Sequence, residues 1–325
     1  MRVLAIVAAL ITAISAQAEV GPQFSQVVPL VPTVDNSAGD PLTSGIGSGA
    51  FHPPNSWLHG LVYTCTDRGP NGDFMGGKQY PLPAFAPSIY TVFLGADSFH
   101  VLGRLPLRDR WFRPLNGLPN PLTPPKQSES AFDAAGNPLA PSLSGVDTEA
   151  LVRVNDGTFW PRNQRTIRFL AVDARSGRPT AEYAYEMDPW QNYTGAASQG
   201  DMKISELVMI DRHRLLVEER TDVSIKLFVV DLRRPATNIL GSTWDDEATL
   251  PSLEQVNLAA NGIVPLTKTK VFDQKAEGAS LPGKIEGIAQ IIPGVFALIN
   301  DNDFNVEGTA ETTVTYLYLP PTSTH

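Results

Sequence analysis

The sequence has a single cysteine, no membrane-length apolar run and no excess of positive charge. With only Cys65 available, an intramolecular disulfide and a cysteine-based zinc site are excluded, and its apolar surroundings predict a buried side chain. A membrane-spanning helix needs about 20 apolar residues, and no segment supplies them. The net charge of −9 disfavours nucleic acid or an anionic membrane as a partner.

Several catalytic signatures are also missing. The chain has no Gly-x-Ser-x-Gly nucleophile elbow, P-loop, dinucleotide fingerprint or His-Glu-x-x-His motif. The segment 44–49 is glycine-rich, but no helical pattern follows it, so a phosphate-cradling loop is not expected. Arg212-His213-Arg214 lacks the glycine that follows Arg-His in histidine acid phosphatases. The familiar short-motif classes of hydrolase and nucleotide-binding protein are therefore not indicated.

Turn-forming residues are abundant instead. The chain has 28 prolines and 26 glycines, while 42% of its residues are hydrophobic. Many short strands joined by tight turns require this combination, and the hydrophobic content is enough for a substantial core. No segment shows a long helical apolar period. The composition therefore predicts an all-β protein.

The clearest hairpin lies at residues 284–303. Two apolar strands flank Pro293-Gly294, because Pro presets φ and Gly accepts a positive φ. Glu286 opens the first strand, and the second strand ends at Asn300-Asp301-Asn302-Asp303. Two strands joined by a tight turn are antiparallel, so both polar groups should lie at the open end of one hairpin.

The same unit recurs along the chain. Its further copies run over residues 206–220, 149–162 and, more loosely, 47–68. Repeated hairpins predict a β-propeller of antiparallel four-stranded blades whose open ends converge on one face. The alternative is an antiparallel sandwich with solvated strand ends. Residues 19–42, rich in proline, should form an extended lead-in strand that closes the architecture.

The first eighteen residues have the pattern of a secretory signal peptide. Arg2 precedes an apolar run over residues 3–13, and Ala16-Gln17-Ala18 is a small-residue cleavage site. The mature chain should therefore cover residues 19–325 as one propeller domain. We expect it to be secreted or periplasmic.

Oxygen-rich strand ends suit hard cations. Asn300, Asp301 and Asp303 supply carboxylate and amide oxygens, which Ca²⁺ prefers, and are the predicted metal ligands. Such a metal could polarise a phosphoryl oxygen or activate water, and Arg68 and Arg220 would be forks for an anionic oxygen. The alternative is that these acids and arginines form structural ion pairs with one another.

Five motifs, in this order along the chain, resemble the phytase-like family, whose domain is called "esterase-like activity of phytase". They are Asp67-Arg-Gly-Pro-Asn-Gly72, Asp147-Thr-Glu-Ala-Leu151, Arg214-Leu-Leu-Val-Glu-Glu-Arg220, Lys284-Ile-Glu-Gly287 and Asn300-Asp-Asn-Asp-Phe304. The resemblance covers most of residues 40–320. It implies an exported β-propeller that hydrolyses esters or phosphoesters.

The chain departs from the family at Trp160. Relatives usually continue with Asp-Glu-Tyr-Gly-Pro, whereas here Pro161-Arg162 begins a segment that resembles one found much later. The resemblance therefore implies that one blade or more is missing. That loss puts the closure of the propeller and the completeness of an active site in question.

Two functions remain open from the sequence. One is a hydrolase, metal-assisted by Ca²⁺, that acts as a monomer on small anionic or ester substrates, either phosphate or carboxylate esters. The other is a non-catalytic binding module with an incomplete site. The candidate catalytic residues share a position at open hairpin ends: Asp67, Arg68, Glu149, Glu219, Arg220 and Glu286.

Overall fold

The computed structural model describes residues 18–53, 56–109, 111–122, 128–146, 165–173, 178–246, 248–308 and 311–320. Helix in these residues is confined to short 3₁₀ turns: Trp190–Asn192, Gln199–Asp201, Leu253–Gln255, Ala259–Asn261 and Asp303–Asn305. None of the described helices has the length and apolar character needed to span a membrane. The predicted signal peptide, apart from Ala18, and the predicted hairpin at 149–162 lie outside the described residues.

The described residues form eighteen strands. They are β1 (Glu19–Gln26), β2 (Gly49–Phe51), β3 (Leu61–Cys65), β4 (Gly72–Phe74), β5 (Gly77–Gln79), β6 (Ser88–Leu94), β7 (Phe99–Pro106), β8 (Ala131–Phe132), β9 (Pro138–Leu139), β10 (Thr166–Val172), β11 (Pro179–Glu186), β12 (Lys203–Asp211), β13 (Arg214–Arg220), β14 (Ile225–Asp231), β15 (Lys268–Asp273), β16 (Ile285–Ile292), β17 (Val295–Asn300) and β18 (Thr312–Tyr318).

Three of the described sheets are four-stranded antiparallel arrays, with the orders β2-β3-β6-β7, β12-β13-β14-β15 and β1-β18-β17-β16. Propeller blades are built from such sheets. The N-terminal strand completes the last of them, because β1 pairs with β18. The predicted all-β class with four-stranded antiparallel sheets is confirmed. Of the lead-in strand predicted over residues 19–42, residues Glu19–Gln26 form β1, and closure of a propeller stays a prediction.

The chain divides into two compact units. The first consists of Met1–Leu151 and Ile285–His325, and the second of Val152–Lys284. The single domain predicted over residues 19–325 stays a prediction.

In the first unit, strands β2 and β16 approach each other through glycines. A Cβ atom on Gly287 would lie 3.0 Å from the carbonyl oxygen of Gly47, and a Cβ on Gly47 would overlap the carbonyl of Asn300. Only glycine permits such an approach of two backbones. The glycine-rich segment 44–49 is thus a packing element, and it lies against the open end of the β16–β17 hairpin.

A core of alternating strand residues fills the first unit. It is drawn from β2, β3, β6, β7, β16, β17 and β18 and includes Val62, Val92, Phe99, Ala289, Ala297 and Ile299. The side chain of Cys65 is buried, as predicted. Between β7 and β10 lie the short strands β8 and β9, which pair with each other.

In the second unit, β10 and β11 form a two-stranded sheet and β12 to β15 form a four-stranded sheet. Its core includes Tyr185, Met202, Val217 and Val230. Strand β15 was not predicted from the sequence. It places Lys268 opposite Val230 at the edge of the four-stranded sheet.

Candidate functional site

The open end of the β16–β17 hairpin lies in the first unit. Ile285 pairs with Asn300, and the register then shifts so that Gly287 faces Ile299. Glu286 is therefore the extra residue of a β-bulge, and its side chain is buried. Glu286 and the Asn/Asp segment lie at the same end of one hairpin, as predicted.

The oxygen atoms of this segment accept backbone hydrogen bonds. Asn300 Oδ1 accepts from the N–H of Thr313 at 2.5 Å, which ties β17 to β18. Asp301 Oδ1 accepts from the N–H of Asp303 at 3.1 Å. The Nδ2 group of Asn302 donates to Thr43 Oγ1 at 2.9 Å. These contacts give the polar side chains a structural role at the strand end.

The chain then makes a left-handed turn without glycine. Asp303, Phe304 and Asn305 have φ values of 47°, 55° and 62°. Each left-handed non-glycine residue costs roughly 1–2 kcal/mol, so other contacts must hold the turn. Phe304 is buried with its ring 5.2 Å from that of Phe85, and Asn305 Nδ2 donates to the carbonyl of Pro41 at 3.0 Å.

The fit of this loop to calcium can be judged from its donors. Ca²⁺ takes about six to eight oxygen ligands in proteins, at distances of about 2.3–2.6 Å. One oxygen each of Asn300 and Asp301 already accepts an N–H. In the described part of the chain, no group of three or more His, Cys, Asp or Glu residues could hold a metal ion. The metal role of Asn300, Asp301 and Asp303 stays a prediction.

Asp67 and Arg68, also in the first unit, follow β3. Asp67 Oδ1 accepts from the N–H of Gly69 at 2.7 Å, which stabilises a tight turn. Arg68 Nη1 lies 2.8 Å from Glu129 Oε2, and the Tyr80 hydroxyl donates to the same oxygen at 3.1 Å. The guanidinium group is thus ion-paired with a residue that sequence reasoning did not connect to it.

The second unit holds the most extensive polar cluster around a predicted residue. Glu219, near the end of β13, is fully buried. Its Oε1 accepts from the Tyr185 hydroxyl at 2.6 Å and from the ammonium group of Lys268. Its Oε2 accepts from the Tyr193 hydroxyl at 2.7 Å and from the N–H of Asp188 at 2.8 Å. Four donors therefore hold one carboxylate in a single orientation.

A series of ion pairs extends from this carboxylate towards solvent. Lys268 Nζ lies 2.9 Å from Asp188 Oδ1, and Lys226 Nζ lies 4.0 Å from Asp188 Oδ2 and 3.4 Å from Asp273 Oδ2. Lys270 Nζ then lies 2.8 Å from Asp273 Oδ2. We call these six residues, Glu219, Asp188, Asp273, Lys226, Lys268 and Lys270, the lysine–carboxylate network.

Aromatic rings line the lysines of this network. The Lys226 ammonium lies 4.5 Å from the ring centroid of Tyr193. The Lys268 ammonium lies 4.1 Å from the centroid of Phe228 and 5.0 Å from that of Tyr185. Because cation–π contacts strengthen when they are desolvated, the rings help to fix the positions of both charges.

Burial and the neighbouring Glu219 carboxylate raise the pKa of Tyr185 and of Tyr193 above the usual tyrosine value. Both hydroxyls therefore stay protonated and act as donors. Burial would raise the pKa of Asp273, but the hydrogen bond from Lys270 and the charge of Lys226 outweigh it, and the pKa is lowered. The Asp273 carboxylate is therefore ionised near neutral pH.

Arg220 follows Glu219 and projects to the opposite face of β13. Only 1% of its side chain is exposed. Its Nε donates to Ser205 Oγ at 2.6 Å, and its Nη1 donates to the Thr221 carbonyl and to Asp222 Oδ1, both at 3.2 Å. Arg220 is therefore an anchored buried cation. Glu206, also buried, lies in the adjacent β12 at a register shift.

The predicted site residues thus fall in both units. Asp67, Arg68, Glu286 and the 300–303 segment belong to the first, and Glu219 and Arg220 to the second; Glu149 lies outside the described residues. Lys226, Lys268 and Asp188 were not predicted as site residues. The alternation in Lys268-Thr-Lys-Val-Phe272 is a strand pattern that could have indicated β15.

Comparisons with known proteins agree with part of the sequence interpretation. The model of the Phytase-like family, described as "Esterase-like activity of phytase", matches residues 161–304. The match confirms the family resemblance over this stretch, which contains three of the five motifs. It begins directly after Trp160, where the sequence departs from the family pattern. No curated protein matches the chain.

One solved structure is similar at a low level. It is the PQQ-bound form of aldose sugar dehydrogenase from Streptomyces coelicolor, with 9% identity and a TM-score of 0.24, covering 94% of this chain and 99% of that one. A similarity this weak supports no inference about the chain.

Proposed function

We propose that the chain is an exported ester hydrolase that acts on phosphate or carboxylate esters of small molecules. The observation that carries the proposal is the lysine–carboxylate network, which lies within the residues matched by the esterase-like family model. It combines partly exposed cations with a carboxylate that fixes their position. The pattern of the first eighteen residues supports export.

The proposed chemistry starts from Lys268. Ester hydrolysis places negative charge on an oxygen of the ester, and a fixed cation stabilises that charge without reorganisation. The side chain of Lys268 is 17% exposed, so its ammonium can meet a small molecule from solvent. Glu219 is fully buried and fully bonded, so it acts as a positioning residue for Lys268.

The other predicted catalytic residues are also candidates for a catalytic role, which substitution of each one would test. Asp67 and Glu286 are carboxylates that could activate water, and Arg68 and Arg220 could bind an anionic oxygen. Each is to be substituted singly, and so is Glu149. A loss of turnover without a loss of folding would assign a catalytic role.

The test is hydrolysis of p-nitrophenyl phosphate and p-nitrophenyl acetate by the purified full chain, with Ca²⁺ and with a chelator. We expect Lys268→Met to lower kcat/KM roughly a hundredfold, the usual cost of removing one group that stabilises an oxyanion. The matched control is Lys275→Met, an exposed lysine of the same unit, which should retain wild-type turnover. If the folded wild type turns over neither ester, the hydrolase is rejected and the binding module is favoured.

A further inference from the structure

Asp188 has an unusual place in the lysine–carboxylate network. Its two carboxylate oxygens lie between two lysines, with Oδ1 at 2.9 Å from Lys268 Nζ and Oδ2 at 4.0 Å from Lys226 Nζ. Its side chain is 26% exposed, whereas that of Lys226 is 8% exposed and that of Glu219 is fully buried. Of the three carboxylates of the network, Asp188 is thus the most exposed to solvent, since the side chain of Asp273 is 11% exposed.

The two lysines have further partners that do not involve Asp188. Lys268 also pairs with Glu219 and lies over Phe228, and Lys226 also pairs with Asp273 and lies over a tyrosine ring. Rotation of the Asp188 side chain would therefore leave both ammonium groups in place. The backbone of Asp188 would stay as well, because its N–H is bonded to Glu219 Oε2.

We propose that the space between Lys226 and Lys268 is a binding site for a small oxyanion and that the Asp188 carboxylate occupies it as an internal stand-in. A carboxylate, a phosphate and the anionic end of a phosphate ester all carry two oxygens on one central atom. A ligand of this class displaces the Asp188 side chain towards solvent and takes over its contacts with the two lysines.

The charge balance gives the direction of the effect. With Asp188 in place, the charges of the three lysines and the three carboxylates of the network cancel, so an added anion gains little electrostatic attraction. Without the Asp188 charge, the remaining groups carry a net charge of +1, from Lys226, Lys268 and Lys270 against Glu219 and Asp273. Neutralising an acid at this position should therefore strengthen anion binding.

The inference deepens the proposed function by naming the class of ligand that the site binds. Only the statement that this ligand can be an ester rests on the proposed function. Its test measures binding and not turnover. Calorimetric titration of the full chain with inorganic phosphate, at constant ionic strength, is compared between wild type, Asp188→Asn and Lys226→Met. We expect Asp188→Asn to bind phosphate about tenfold more tightly, which corresponds to about 1.4 kcal/mol, and Lys226→Met to lose binding.

Controls separate charge from folding. Lys226→Arg keeps the charge and should keep the binding, while Asp246→Asn neutralises an exposed acid of the same unit and should bind like wild type. If Asp188→Asn fails to fold by circular dichroism, Asp188→Ser replaces it. Acetate titrated in the same way distinguishes a general oxyanion site from one that requires phosphate.

Unchanged phosphate affinity in the folded Asp188 variant, or in Lys226→Met, would overturn the inference. Phosphate binding without turnover of either ester would leave the site standing and reject the hydrolase. Turnover of an ester without phosphate binding would reject the binding site and leave the hydrolase standing.

Discussion

Glu219→Gln tests whether the buried carboxylate is held by its donors. A glutamine has one carbonyl oxygen, so its amide group would face two of the four donors that Glu219 accepts from. A hydrogen bond to a charged group is worth about 1.5–3 kcal/mol. Breaking one side of a buried ion pair costs about 3–5 kcal/mol, because the partner charge stays behind. We expect a loss of about 4 kcal/mol in the free energy of unfolding.

The measurement is the melting temperature of the purified chain by circular dichroism. For domains of about 150–250 residues, each kcal/mol lowers the melting temperature by about 2–4 °C, so the variant should melt about 8–16 °C below wild type. Asp246→Asn makes the same chemical change at an exposed residue, where Oδ1 accepts from the N–H of Ala248 at 2.9 Å. An asparagine keeps that acceptor, so the control should lie within about 0.5 kcal/mol of wild type.

A double variant makes the test sharper. Glu219→Gln combined with Lys268→Met removes both members of the buried pair, so the ammonium that would keep only Asp188 as a carboxylate partner is removed as well. We expect the double variant to be more stable than Glu219→Gln alone, which is the opposite of additive destabilisation. If the single variant melts with the wild type, or if the double variant shows the full sum of two losses, the carboxylate does not depend on this lysine.

Three further predictions concern pH, calcium and backbone packing. Burial and a neighbouring carboxylate raise the pKa of Tyr193, so the stability that its hydroxyl contributes is complete below the unfolded tyrosine pKa of about 10 and is lost as the pH rises further. Spectrophotometric titration should show ionisation of Tyr193 only when the protein unfolds. A normal reversible titration of every tyrosine would contradict this prediction. If the 300–303 loop binds calcium, Asp301→Asn should abolish the Ca²⁺-induced rise in melting temperature and Asp246→Asn should retain it; the absence of any rise in the wild type would count against a metal. Gly47→Ala should lower the free energy of unfolding by about 3 kcal/mol, because the added Cβ overlaps a neighbouring backbone carbonyl. Gly103→Ala is the control, since no atom lies within 4 Å of its Cβ, and its stability in urea unfolding should be nearly that of the wild type. Equal stability of the two variants would refute the close approach.

Local signals were sufficient for the hairpins. Pro293-Gly294 connects β16 to β17, and the turn before Arg214 connects β12 to β13, both as predicted. Apolar runs and turn residues are features of neighbouring residues, so the sequence displays them directly. The lead-in strand was recognisable for the same reason, although its partner β18 lies at the other end of the chain.

Long-range charge pairs were beyond the reach of the sequence. Glu219 and Lys268 are 49 positions apart and meet only because β14 lies between β13 and β15. Arg68 and Glu129 are 61 positions apart and meet through loops. In the sequence, the two lysines of β15 are typical of a solvated segment. Their partners become evident only when the strand order of the sheet is known.

Clusters of acids at strand ends raise the question of what compensates their charge. From the sequence, a bound cation or the arginines were the expected sources. For Glu219 the compensation comes from a lysine on the same sheet and from two tyrosine hydroxyls. For Asp301 an oxygen accepts a backbone N–H of its own turn. A carboxylate bonded in this way is stabilised without a metal, so a calcium ion at this loop would compete with the N–H of Asp303 for Asp301 Oδ1. Anion binding has a simpler route, because in the lysine–carboxylate network the partly exposed Asp188 side chain can rotate away while its lysines keep their other partners.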